Sequence, residues 1–286
     1  MTETPHVLLV GYGDIACRLT PLLFDRGFAV TGVRRHPERA KLPELHANSP
    51  QFSLVQGDAS SDEDWQRLLE TRFDAIIFTL TPSEFSELGY QQGYVEPVRA
   101  MLSALSSFTA EMLPTVLYVS STAVYGERDG EWVDELTPTQ PTGFAGRQLL
   151  AAENLLQASG LPHVLVRASG IYGPGRERMH KGIQEGTYTI TPAWTNRIHA
   201  DDLARALDHL LMLKFSGEPM DELYLATDDE PLLAEEYVRR VAERIGADAS
   251  NLPRSNEIGP RGSKRLSNAR LSATGFDFLH PTYPVS

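Results

Sequence analysis

Three features of the 286-residue sequence predict a doubly wound α/β fold built on a parallel sheet. Short runs rich in Val, Ile, Leu and Phe alternate with stretches of helical periodicity. The runs are apolar at successive positions, as strands covered on both faces must be. Two glycines one residue apart, Gly11 and Gly13, stand where the first run gives way to a helical pattern.

Taken in order, HVLLV (6–10) is the first predicted strand and leads into a helix near 14–26. FAVTGV (28–33) and FSLVQ (52–56) follow, then a helix near 62–71 and the strand DAIIFT (74–79). Val95, Val98, Leu102 and Leu105 recur at three- and four-residue spacings and mark one face of a helix near 91–107. TVLYVS (115–120), a helix near 146–158 and HVLVRAS (163–169) complete the regular part. Beyond about residue 170 the alternation weakens. YTIT and ELYLAT are mixed with helices near 201–214 and 234–246. The polar segment 250–268, rich in turn formers, predicts an exposed loop, and the aromatic, proline-bearing tail predicts docking on the body. This organises the chain as a sheet domain over 1–170, to which later segments return, and a small lobe over 171–286 closing a cleft over it.

Composition narrows the function classes. Hydrophobic residues make up 41% and charged residues 22%, an ordinary globular mixture. The net charge of −12 speaks against a nucleic-acid surface, which needs local basic density. The single cysteine, Cys17, excludes a disulfide framework and a CxxC zinc site and reads as packing in the first helix. MTETPHVLLV lacks the basic and long apolar regions of a signal peptide, and no apolar run reaches the roughly 20 residues of a membrane helix. The expectation is a cytoplasmic protein without a membrane partner.

Gly11, Gly13 and Ala16 form G-x-G-x-x-A between a strand and a helix, the phosphate turn of a Rossmann-type dinucleotide site. Gly11 permits the tight turn, Gly13 lets backbone approach a pyrophosphate, and Ala16 keeps helix and strand close. The N–H groups that open the helix, at Asp14, Ile15 and Ala16, favour the anion. The second strand ends in Arg34 and Arg35 where an NAD site usually offers an acid. Guanidinium groups suit a 2′-phosphate, so NADP is expected over NAD, the competing reading being a solvated basic pair. Asp58, after the third strand, suits an adenine amino group or a helix cap. Thr79 and Leu80, at the carboxyl end of the fourth strand, are placed to line the cofactor.

Four later segments occur in a telling order: YVSSTAVYGERDGEWVDE (118–135), RASGIYGPGR (167–176), NRIHADDLARAL (196–207) and YLATDDEPLLAEEYVRRVAERIG (224–246). With the glycine loop they resemble the extended short-chain dehydrogenase/reductases, the NAD-dependent epimerase/dehydratase family of nucleotide-sugar enzymes. The resemblance spans nearly the whole chain. It implies a bound NAD(P), a carboxyl-terminal substrate lobe, a sugar or nucleotide-sugar substrate, and often a homodimer formed through the helix near 91–107. It also implies that Ser121, four residues before Tyr125, hydrogen-bonds the reacting oxygen, with Thr122 beside it. A hydroxyl at a strand's end can donate to a developing oxyanion, or simply satisfy loop backbone.

The departures matter as much. The family usually begins G-x-x-G-x-x-G, and its acid/base pair is Tyr-x-x-x-Lys. Here PTGFAGRQLLAAENLL (141–156) aligns on Glu153 to put Ala145 and Leu149 at those positions. A one-residue shift offers Phe144 and Gln148. No lysine lies between 42 and 180, so no realignment restores the pair. Positioned acid/base catalysis contributes about 10²–10⁴-fold. Substitutes within reach are Arg147, one turn from Phe144, then Tyr90 and Tyr94, and Tyr172 and Arg176 on the substrate side; His199 reads better as a structural histidine. Two functions follow: an NAD(P)-dependent oxidoreductase or epimerase with a degenerate Tyr-x-x-x-Lys site, or a catalytically inactive NADP(H)-binding sensor.

Overall fold

The computed structural model describes residues 4–40 and 42–284. β1 (His6–Val10) runs into α1 (Asp14–Asp25), and β2 (Ala29–Arg34), α2 (Glu44–Ala47) and β3 (Phe52–Gln56) follow. Next come α3 (Asp62–Leu68), β4 (Ala75–Phe78), α4 (Glu87–Tyr90), a π-helical turn (Gln91–Val95) and α5 (Glu96–Leu105). The middle of the chain forms β5 (Thr115–Ser121), β6 (Glu131–Val133), α6 (Phe144–Ser159), β7 (His163–Ala168) and β8 (Gly170–Tyr172). The remainder supplies α7 (Arg178–Gln184), β9 (Trp194–Thr195), β10 (Arg197–His199), α8 (Ala200–Ser216) and β11 (Leu223–Ala226). β12 (Leu232–Leu233), α9 (Ala234–Ile245), β13 (Lys264–Leu266) and α10 (Ala269–Ala273) end it.

Seven parallel strands form the central sheet in the order β11-β7-β5-β4-β1-β2-β3. Alternate side chains of β1 feed its two faces: Val7 and Leu9 join α1 and α8 in one core, Leu8 and Val10 join α3, α5 and α6 in the other. The order reverses between β1 and β4, which opens a crevice at their carboxyl ends, the usual ligand position in such sheets. A third core, holding Tyr172, Ile183, Tyr237 and Val241, belongs to α7 and α9, and Tyr188, packed on it, lines that crevice.

ELYLAT contains β11, an edge strand of the main sheet, so a segment beyond residue 170 joins the sheet. Two expectations need correction. Segment 250–268 is not wholly exposed: β13 pairs with β6, and Ser263, Lys264 and Leu266 are buried. Its polarity misled because the Lys264 ammonium is satisfied internally, donating to the carbonyls of Tyr125 and Arg261, both at 3.1 Å. The helix expected near 91–107 starts four residues earlier, at Glu87, and carries a π turn that spacing alone does not show.

Candidate functional site

At the first turn, the Gly11 and Tyr12 N–H groups both donate to the Val33 carbonyl at 3.1 Å. Gly11 has φ +85°, and a Cβ there would meet Leu80 at 2.7 Å. Gly13 differs: a Cβ on it would find only the Gly11 carbonyl, at 3.7 Å, and otherwise open space. As the N-cap of α1, Gly13 has no side chain to cap the first-turn N–H groups. Unsatisfied donors, a positive dipole end and free approach fit a pyrophosphate. Thr79 closes the turn, its hydroxyl donating to the Gly11 carbonyl at 2.9 Å.

From this turn one cleft of about 1720 Å³ extends over the carboxyl ends of the strands to the lobe. Gly11, Gly13, Asp14, Ile15, Thr79 and Leu80 line its start. Ala16 is fully buried in α1, so its side chain serves packing. Arg34, Arg35 and Asp58 line the adjacent end. Arg34 donates to the Tyr12 carbonyl at 3.3 Å. Asp58 does not cap α3: Ser61 does, accepting from the Asp64 N–H, while Asp58 accepts from the Ser60 N–H at 2.9 Å. Cys17, within α1, packs partly buried against the core.

Farther along, Ser121 and Thr122 line the cleft at the end of β5. Ser121 Oγ accepts from the Ala123 N–H at 3.3 Å, a long contact that leaves its own proton available. Facing it, α6 presents Phe144, Ala145 and Leu149. Gln148 instead donates outward to Glu87 at 3.4 Å, so the cleft-facing stripe carries neither phenol nor ammonium. Behind it, the fully buried Glu153 carboxylate takes a bidentate Arg167 guanidinium, with a closest distance of 2.7 Å, and accepts from Ser120. Tyr125 completes the network, accepting from Arg167 at 2.7 Å and donating to the Asp134 carbonyl.

The proposed substitutes separate clearly. Arg147 is corrected: it lies on the outer face of α6, half exposed, donating to the Thr142 carbonyl at 3.2 Å and pairing with Glu87 at 3.7 Å. One turn from Phe144 is the wrong face. Tyr172 is also corrected, being buried in the lobe core against His199 and Tyr283, because its strand β8 turns its ring away from the cleft. Arg176 lines the cleft but pairs with Asp14 at 3.0 Å, over the glycine turn and not deep on the substrate side. His199 caps α8, its Nδ1 accepting from the Asp201 N–H, and burial with His280 alongside lowers its pKa. Tyr90 and Tyr94 do line the cleft.

Sequence reasoning missed the far wall: Arg197, Arg261, Lys264 and Trp194 all face the cleft. Burial lowers the Lys264 pKa. The one available signal was the turn GPRG (259–262) directly before Ser-Lys-Arg.

A glycine turn at the switch point of a parallel sheet, opening into a cleft closed by a lobe, defines a dinucleotide-binding α/β protein. The chain belongs to the NAD(P)H-binding family, whose model matches residues 11–212. Its fold is that of the NAD-dependent epimerase/dehydratases of the short-chain dehydrogenase/reductase type. It is 25% identical over 282 residues, 96% of each chain, to protein YeeZ of Escherichia coli K12. A Methylobacillus flagellatus structure, given the provisional description NAD-dependent epimerase/dehydratase, is 33% identical with a TM-score of 0.78, covering 98% of this chain and 95% of that one. DesIV, a dTDP-glucose 4,6-dehydratase of Streptomyces venezuelae solved with NAD, shares the fold at 19% identity, TM-score 0.78, over 94% of this chain and 90% of its own. Among the described residues no helix is long and apolar enough to cross a membrane.

Proposed function

We propose that this protein is an NAD(P)-dependent oxidoreductase or epimerase acting on a hydroxyl or carbonyl group of a sugar or nucleotide sugar, with NADP as the preferred cofactor. The observation that carries the reading is the continuity of the cleft from Gly13, past Ser121, to the lobe wall at Trp194 and Lys264. That wall lies beyond the glycine turn and Ser121, where a second molecule beside the cofactor would sit. DesIV, which has this fold, is named for a nucleotide-sugar substrate, which supports that substrate class here.

Bound NAD(P) supplies a hydride acceptor or donor. The chain does the rest. The α1 N-terminus and Gly13 hold the pyrophosphate, and Arg34 and Arg35 favour a 2′-phosphate. Ser121 donates to the substrate oxygen on which charge develops. Arg178, Arg197 and Arg261 give the lobe end a positive wall in a protein of net charge −12, suited to an anionic group on the substrate. The sheet domain over 1–170, to which β11 returns, is assigned to the cofactor, and the lobe formed by the rest of 171–286 to the substrate.

The inactive-sensor reading takes its support from Ala145 and Leu149, which leave α6 without an acid/base pair. A screen of sugars and nucleotide sugars for NADPH oxidation and NADP reduction separates the two. Turnover of any member supports the enzyme; tight NADP binding with no turnover across a broad screen favours the sensor.

A further inference from the structure

We propose that Tyr90 is the catalytic phenol of this cleft, standing in for the missing tyrosine of α6, with Arg261, which lines the same cleft, as its positive charge. The inference rests on the reading of the cleft as an oxidoreductase site.

Position is the first argument. Tyr90 lines the cleft and stands edge-on to Phe144, the residue beside Ala145, with ring centroids 5.4 Å apart and planes at 86°. It also packs against the cluster that contains Leu149. The phenol therefore flanks the stripe on α6 that lacks its own.

Local structure is the second. Tyr90 ends α4 and enters the π turn Gln91–Val95, where the Glu96 N–H donates to the Gln91 carbonyl five residues back. Such turns are rare and concentrate at functional sites. Gly93 lets this turn seat against Pro82, since a Cβ there would stand 2.9 Å from the Pro82 Cα. The end of β4, with Thr79 and Leu80, is thereby joined to the Tyr90 turn.

Elimination is the third. Tyr12 is tied to Thr20 and His46, and Tyr125 to Arg167 and Asp134. Tyr94 is more deeply buried and its pKa is driven far up, while Tyr188 packs on the lobe core. Asp14 and Glu96 are ion-paired, and Asp58 sits at the Arg34 end. Lys264 has two donors committed to carbonyls. The Tyr90 hydroxyl has no hydrogen-bond partner among the described residues. Burial raises its pKa and the Arg261 guanidinium pulls it back. The other ionisable groups around it are Tyr94 on its own helix and Glu87, which is held by Arg147.

In the oxidising direction the Tyr90 phenolate takes the substrate hydroxyl proton as the carbinol carbon loses hydrogen with both electrons to oxidised NAD(P). The O–H and C–H bonds break, the C=O bond forms, and Tyr90 is left a neutral phenol. Reduction reverses each transfer.

The test is ultraviolet difference spectroscopy of the full-length protein titrated through the alkaline range with NADP⁺ or NADPH bound. Cofactor affinity is measured in the same samples. One tyrosine should ionise at lower pH with NADP⁺, whose ring is positive, than with NADPH. Tyr90→Phe, which keeps the ring contacts, should abolish that difference at unchanged affinity, and Arg261→Ala should move the ionisation to higher pH. For any substrate the screen yields, Tyr90→Phe should lower kcat by about 10²–10⁴-fold with KM little changed. A difference that persists in Tyr90→Phe, or none in a wild type that binds both cofactors, overturns the assignment to Tyr90 alone. Failure of the wild type to bind either cofactor overturns the reading of the site itself.

Discussion

The β1–α1 turn and the start of α6 face the same cleft, and they have been treated very differently. The turn keeps every stereochemical feature of a pyrophosphate site: positive φ at Gly11, open approach at Gly13 and an uncapped helix end. The α6 face has a firm scaffold behind it, the buried Glu153–Arg167 pair, but presents only Phe144, Ala145, Gly146 and Leu149 to the cleft, none of which can carry a proton. The difference teaches something general about such clefts. Holding a dinucleotide depends on backbone geometry that few residue types allow, so it cannot migrate. A proton donor is only a side chain in reach, and another wall can provide it.

The largest effect is expected at the turn. Gly13→Val fills the open space over the α1 N-terminus, and titration calorimetry should find binding of NADP(H) and NAD(H) both abolished. Retained affinity for either would mean that the pyrophosphate lies elsewhere.

Ser121→Ala probes the opposite end of the contrast. Any turnover the screen reveals should fall by about 10²–10³-fold, the usual cost of one oxyanion donor, with cofactor affinity unchanged. Full activity in this variant would leave Ser121 as the cap of its own turn, where it already accepts from the Ala123 N–H.

A smaller effect sharpens the cofactor side. Each charge-assisted contact to a 2′-phosphate is worth about 1.5–3 kcal/mol. Arg34→Ala with Arg35→Ala should therefore weaken NADP binding while sparing NAD. Equal affinities in the wild type would show the pair to be merely solvated.

A separate effect, on stability and not on the site, lies in the lobe, outside both regions. Burial raises the pKa of Asp228 from 3.8 to about 8, and one carboxylate oxygen has no partner among the described residues. The folded state thus holds a proton that the unfolded chain has released. Stability should fall as pH rises from about 4 towards about 8, by at most about 1.4 kcal/mol per unit, and level off above. Asp228→Asn should flatten this dependence in urea melts recorded across that range. An unchanged slope would place the titration elsewhere.

The same contrast explains what could be read without coordinates. Strands such as HVLLV and DAIIFT are legible because a strand buried on both faces has no room for polar residues, and the glycine turn because its backbone demands are strict. The far wall was not legible. Lys264 looks like a loop lysine until the Tyr125 and Arg261 carbonyls are seen around it, and those partners lie 139 and 3 residues away. Arg147 looked like a substitute cation because helical spacing gives proximity to Phe144 but not which side of α6 meets the cleft. Tyr172 misled similarly, since a short strand such as β8 says nothing about which core will claim its ring.

A crystal structure of the protein with NADP⁺ bound tests the central claim most directly. The account predicts the pyrophosphate on the α1 N–H groups over Gly13, and Ala145 and Leu149 beside the nicotinamide ribose with no side-chain hydrogen bond to it. A cofactor seated away from Gly13, or a ribose held by Gln148 with Phe144 turned to the nicotinamide, would contradict it.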